Sequence, residues 1–327
     1  MINIFGGNMM LEYDLVVIGG GIAGMTAALG AAREGIKNIL IFEREHSLGG
    51  ILNQCIHNAF GKKFLGEKVT GPEYIFFIEE KLKKLNIDIK LNTNVIEVTE
   101  DNKINYVNSI EGSKEVHAKA IILATGSREV YTGSVMVPTH GLTGIFTLGS
   151  AHRLINLEGY LPGKKTVIIA KDKWGFLVAR RILIEGGSVE AIIIEDEIKE
   201  LIDEEIENLI DGFSLEIIEN SRVVEVYGDS RINKVKVLNL KEDVISRIEC
   251  DSLILSVGFR PENKLAQNLK VDINKNTFVP ETNDFETSKE SIFACGNLIY
   301  GKLALIMEET DGLNCGIKAA EYIKIIN

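Results

Sequence analysis

Asp14-Leu-Val-Val-Ile-Gly19-Gly20-Gly21-Ile-Ala-Gly24 decides how this chain folds. A short apolar strand enters Gly-x-Gly-x-x-Gly, and the Ala- and Leu-rich run from Met25 to Glu34 follows as a crossover helix that Gly35 ends. The next apolar run, Asn38-Ile-Leu-Ile-Phe-Glu43, closes on an acid about 20 residues beyond the last glycine. In such a unit the glycines permit a tight turn, close approach of backbone to a pyrophosphate, and close helix packing. The helix N-terminus supplies free N–H groups and partial positive charge. Glu43 stands where a carboxylate accepts hydrogen bonds from both ribose hydroxyls.

A second frame of the same kind begins at Lys165-Thr-Val-Ile-Ile and continues Ala170-Lys171-Asp172-Lys173-Trp174-Gly175. Two of its three glycine positions hold other residues. An Asp172 carboxylate about 4 Å from a phosphate costs roughly 4 kcal/mol at an effective dielectric near 20, or about three decades of affinity. Two readings stand: Asp172 caps the helix in place of a phosphate, or Lys171 and Lys173 offset its charge and rebuild an unusual anion site. In the latter case Glu195-Asp196 suits a ribose diol and repels a 2'-phosphate, which favours NADH over NADPH.

Around these frames the fold class is α/β, with two Rossmann-like three-layer domains, the second inserted into the first, and small antiparallel excursions. A discontinuous first domain spans 1–127 and 251–327, and a second, degenerate domain spans 128–250. Helices are expected over Glu73–Leu85, Gly175–Glu185, Glu197–Ile210 and about Leu303–Ile325. Two buried strands end in glycine turns, at Ala124-Thr125-Gly126 and at Val257-Gly258.

With 327 residues the chain is long enough for two cores, and 45% hydrophobic against 25% charged residues is globular composition. A formal charge of -11 argues against nucleic acid and against anionic membrane surfaces. The first ten residues lack the basic region and long apolar core of a signal peptide. Cys55, Cys250, Cys295 and Cys315 form no Cys-x-x-Cys, so neither a zinc site nor an adjacent dithiol is visible, and reduced thiols in the cytoplasm are the expectation.

The order of parts resembles the two-dinucleotide flavoprotein reductases of the thioredoxin reductase class over nearly the whole chain. The parts that carry it are the first glycine motif, Gly49-Gly50 after Glu43, Ala124-Thr125-Gly126, the inserted second unit, and Ala294-Cys-Gly296-Asn297 before a last helix. The stretches Leu48 to Gly61, Thr70 to Tyr74 and Asn156 to Gly163 are similar to FAD-dependent oxidoreductases that accompany glycerol-3-phosphate dehydrogenase-type and amino-acid dehydrogenase flavoproteins. The resemblance implies FAD held by Gly19, Gly21, Ala23, Gly24, Glu43, Gly49, Gly50, Thr125, Gly126, Gly296 and Asn297, and NAD(P)H on the second unit, where Asp172 puts it in doubt. It also implies a dehydrogenase-type flavoprotein or small electron carrier as partner, while the sequence leaves the oligomeric state open, a homo-oligomer included. Asn297 stands where these families often carry Asp, keeping an acceptor and adding a donor without negative charge.

Cys55 is the catalytic candidate, because it lies in the loop where glutathione reductase-like relatives hold their disulfide. It either cycles through a flavin adduct or sulfenic acid, or is a small buried residue lining the pocket. Three functions follow: an electron-transfer subunit, an NADH-dependent flavin reductase or oxidase, and a flavin-stabilised scaffold without turnover.

Overall fold

The computed structural model describes residues 11–131, 137, 139, 141–201, 203–301 and 310–326, without the side chains of Glu200 and Glu205. Two compact units emerge, 1–128 with 260–327, and 129–259.

In the first unit the parallel core of the sheet runs Ile87–Lys90, Ile39–Phe42, Leu11–Ile18, Gly112–Leu123, Ile292–Ala294. Leu11–Ile18 is central, with Leu15 opposite Ile39 on one side and Ala120 on the other. Being covered on both faces, it carries a continuous apolar run instead of alternation, and Leu15, Val16 and Val17 are fully buried. The helix Ile22–Arg33 contains no charge before Arg33 because it too is buried nearly all round. Its small residues admit the C-terminal helix Asp311–Ile326 at close range. Side chains at Gly312 and Gly316 would strike the carbonyls of Ala23 and Ala27, and one at Gly30 would strike that of Leu313. The antiparallel excursion expected between residues 87 and 124 is present as Asn94–Val98 and Lys103–Asn108 on the edge of Gly112–Leu123.

Helix Gly71–Leu82 begins two residues before the expected Glu73 and ends three before Leu85. Thr70 and Glu73 form a reciprocal capping box, and Pro72 sits in the first turn, where it has no N–H to leave unsatisfied. The last helix is described from Asp311, and the expected start at Leu303 lies outside the described residues.

The second unit has its own parallel sheet, in the order Ile217–Ile218, Ser188–Ile193, Lys165–Ala170, Ser252–Ser256, Ile145–Thr147. This moves a boundary: the expectation that the first domain resumes at 251 is corrected to 260. Ser252–Ser256 pairs on one side with Thr166–Ala170 and on the other with Ile145–Thr147, and the Asp251 carboxylate accepts the N–H groups of Lys164 and Lys165 at 3.0 and 2.8 Å. A buried strand ending in glycine looks alike in either domain, so the sequence pattern misassigned it.

Helix Trp174–Ile184 matches its expected place within a residue or two. The acidic helix expected over Glu197–Ile210 is instead a 3₁₀ turn, Ile198–Glu200, followed by helix Glu204–Phe213. Asp203 restarts the helix, its side chain accepting the Ile206 N–H at 3.1 Å as an N-cap. A three-stranded antiparallel sheet, Ser221–Gly228, Ile232–Asn239 and Ile245–Glu249, completes the unit. Its last strand is mostly exposed, which is why no alternating pattern announced it.

Candidate functional site: one open dinucleotide cradle and one closed frame

The first glycine motif is built by close contacts that exclude side chains. A Cβ on Gly19 would lie 2.3 Å from the Ala124 carbonyl oxygen, and one on Gly24 would lie 1.9 Å from the Gly19 carbonyl oxygen. Among the described residues, a Cβ at Gly21, the N-cap of Ile22–Arg33, would meet nothing within 4 Å, and no side chain caps the helix. The first-turn N–H groups therefore face a place that backbone can approach, and a pyrophosphate satisfies such donors. Glu43, nearly buried, accepts the Gly20 N–H on Oε2 at 2.7 Å and the Glu45 N–H on Oε1 at 2.8 Å. Each oxygen retains a lone pair for a ribose hydroxyl.

Other expected residues converge on the same helix end. The Gly49 N–H donates to the Gly20 carbonyl at 2.8 Å, and Gly50 lies against the Gly21 Cα. Thr125 donates its hydroxyl to the Glu262 carbonyl at 2.7 Å, while the Glu262 N–H donates to the Gly126 carbonyl at 2.9 Å, joining that turn to the returning chain. Gly296 adopts φ +67°, where a Cβ would lie 2.6 Å from the Ala23 Cβ, so the turn from Cys295 closes over the helix N-terminus. Beside it the Asn297 Oδ1 is a buried acceptor with no hydrogen-bond partner among the described residues. Such an acceptor suits a ligand hydroxyl. With the uncapped helix and Glu43, it makes the residues present fit a dinucleotide of the FAD kind.

Cys55 leans toward the second of its two readings. It is buried, burial pushes its thiol up to about 12, and its Sγ lies 3.4 Å from the Ile51 carbonyl oxygen. The thiolate that an adduct or sulfenic acid requires is thereby disfavoured. Of the two readings, the burial of Cys55 accords with the small packing residue.

The second frame is closed by its own residues. Asp172 Oδ1 accepts the Trp174 N–H at 3.2 Å and the Ser256 hydroxyl, and the Gly175 N–H also reaches this carboxylate. Burial raises its carboxyl above the usual carboxylate range, the Glu129 charge adds to that, and those hydrogen bonds oppose it. The raised carboxyl weakens the purely Coulombic objection to a phosphate but leaves a steric one, since Oδ1 accepts the Trp174 N–H at the helix end; Oδ2 is buried without a hydrogen-bond partner among the described residues. Lys171 reaches Glu195 at 3.0 Å and Lys173 reaches Asp203 at 3.6 Å. Both lysines that could rebuild an anion site thus pair with acids, and one of those acids is the one suited to a ribose, although these exposed pairs are worth only about 0–1 kcal/mol each. A Cβ on the one retained glycine, Gly175, would lie 3.1 Å from the Ala170 Cβ, which is the helix-packing role of that position.

Sequence reasoning missed Ser256 and Glu262, which hold Asp172 and Thr125. Both partners lie far along the chain, and no local spacing could have marked them. It also missed Asp311, whose carboxyl burial pushes above its ordinary range and which accepts the Tyr300 hydroxyl.

Residues 13–311 match the family model described as pyridine nucleotide-disulphide oxidoreductase. Mouse mitochondrial dihydrolipoyl dehydrogenase is 26% identical over 93% of the chain, which spans 66% of that relative's length. A 34.2 kDa protein in the rubredoxin operon of Clostridium pasteurianum is 24% identical over 95% of this chain and 97% of its own. Among solved structures, thioredoxin reductase from T. acidophilum aligns with TM-score 0.76 at 21% identity, covering 97% of this chain and 99% of that one. Bacillithiol disulfide reductase from Bacillus cereus aligns with TM-score 0.79 at 19% identity over 97% and 100%. L-proline dehydrogenase from P. horikoshii gives 0.68 at 19% over 97% of this chain and 56% of that one. At these identities the structures establish the fold.

Proposed function

The chain belongs to the pyridine nucleotide-disulphide oxidoreductase family, and from that premise we propose that it is an FAD-dependent oxidoreductase subunit that exchanges electrons with a partner flavoprotein or small carrier, not with free NAD(P)H. FAD, when bound, supplies the two-electron store. The chain's own residues divide the remaining work. Gly19, Gly21, Ala23 and Gly24 shape the helix end for pyrophosphate, Glu43 orients the adenosine ribose, and Gly296 with Asn297 closes over the opposite side. Gly49, Gly50, Thr125 and Gly126 fix the flanking turns.

One observation carries the negative half of the reading. Asp172 fills the helix terminus on which a nicotinamide dinucleotide's pyrophosphate would rest, and the Lys171–Glu195 pair ties up the ribose acid. Support for a dehydrogenase-type partner comes from the similarity of Leu48 to Gly61 to flavoproteins of such complexes and from the fold shared with the P. horikoshii L-proline dehydrogenase.

Trp174 is the chain's single tryptophan and lies at the closed frame, so its emission lifetime reports directly on nucleotide binding there. The lifetime is expected to stay constant as NADH or NADPH is raised to millimolar. A saturable change in the micromolar range contradicts the proposal and favours the NADH-dependent reductase reading.

A further inference from the structure

Two of the four cysteines meet in the core of the first unit. Cys295 and Cys315 are both fully buried in one apolar cluster, and Cys295 is among the neighbours that raise the Cys315 thiol. Independent contacts place them together. The Phe293 and Tyr322 rings pack at 5.9 Å between centroids. Cys295 is two residues from Phe293, on the same face of extended chain, and Cys315 is two helical turns from Tyr322, on the same stripe of Asp311–Ile326. Moreover, Gly296 and Gly312 both press on Ala23, so the residues beside each cysteine share one contact. The pair thus spans the junction between the turn that closes the dinucleotide cradle and the helix that backs it.

We propose that Cys295 and Cys315 are a dithiol–disulfide pair, a modification site at which a small disulfide of the glutathione class links the cradle-closing turn to the C-terminal helix. One thiolate attacks the small disulfide, forming a mixed disulfide and expelling one small thiol. The second cysteine then displaces the other. Two electrons and two protons pass from the cysteines to the oxidant, which leaves as two thiols. Burial holds the Cys315 thiol well above its ordinary value, so exchange follows transient opening of the helix and is slow. None of this depends on which donor reduces the flavin.

The test uses C55A/C250A, which keeps only the pair, and the unsubstituted protein alongside it in case the variant fails to fold. Each is incubated natively with glutathione disulfide, then denatured, alkylated and mapped by peptide mass. The expected result is loss of two thiols per chain, a peptide joining Cys295 to Cys315 within a monomer, and an unfolding midpoint raised by several degrees that dithiothreitol reverses. If both thiols remain alkylatable under conditions that oxidise the denatured chain, or if only single glutathione adducts or intermolecular links appear, the proposal is overturned.

Discussion

A single methyl group separates a working cradle from a blocked one at Gly24. Its Cβ would lie 1.9 Å from the Gly19 carbonyl oxygen, which cannot yield without moving the turn, so G24A is expected to destabilise the protein by about 1–3 kcal/mol. Flavin absorbance per chain, measured on the purified variant, should fall at least tenfold. Glu43 is a different case, because its carboxylate holds two backbone N–H groups that its removal would strand. E43A should cost about 1–3 kcal/mol in urea unfolding, and E43Q, which keeps one acceptor, should cost less. For Cys55 the expectation is silence. With its thiol pushed up to about 12 by burial, native protein at mildly alkaline pH should leave it unmodified by iodoacetamide, whereas denatured protein is alkylated there. The glycines and Glu43 were legible because their roles follow from local spacing. For Cys55 the sequence offered burial as one of two readings, and its actual burial depends on packing that local spacing does not encode.

At the scale of elements, the two strand–helix–strand frames share a backbone and differ at the helix mouth. Among the described residues neither N-cap, Gly21 or Lys173, is side-chain capped, but Asp172, just before Lys173, accepts the Trp174 N–H, and Ile22–Arg33 has no such acceptor. On the proposed reading, removing Asp172 from the helix mouth should raise nucleotide affinity. In K171A/D172G the carboxylate leaves the helix end and Glu195 is released from its lysine, so NADH affinity should rise by up to about three decades, read from the Trp174 lifetime. Asp172 also carries a pH signature. Its folded-state pKa is raised, so its contribution to stability is full below the unfolded value and is lost as pH rises through the folded one. D172N removes that loss, and its stabilising effect in thermal unfolding should grow as pH is raised from acid toward neutrality. The sequence announced the altered glycines and offered the cap as one of two readings. It did not show that Lys171 and Lys173 are committed to Glu195 and Asp203, because those pairs cross between elements. Helix ends were displaced for a similar reason, as Thr70–Glu73 and Asp203 set them through side-chain hydrogen bonds that apolar periodicity does not encode.

For the whole molecule, the inserted arrangement of two Rossmann-like units follows from motif order, and the family match over 13–311 accords with it. The return to the first unit was placed nine residues early because Ser252–Ser256 belongs to the second sheet, a matter of strand pairing and not of pattern. The meeting of Cys295 and Cys315 was equally hidden, since the chain between them supplies no motif and only the packing of the last helix brings them together. Across the molecule, then, one helix end lacks a side-chain cap among the described residues, while at the second frame Asp172 Oδ1 takes up the Trp174 N–H and the Ser256 hydroxyl. Anaerobic stopped-flow mixing of the flavin-loaded protein with micromolar NADH or NADPH tests that asymmetry most directly. The account predicts that flavin absorbance persists over many seconds with either nucleotide and bleaches only when a competent partner is added. Rapid bleaching by either nucleotide alone would contradict it.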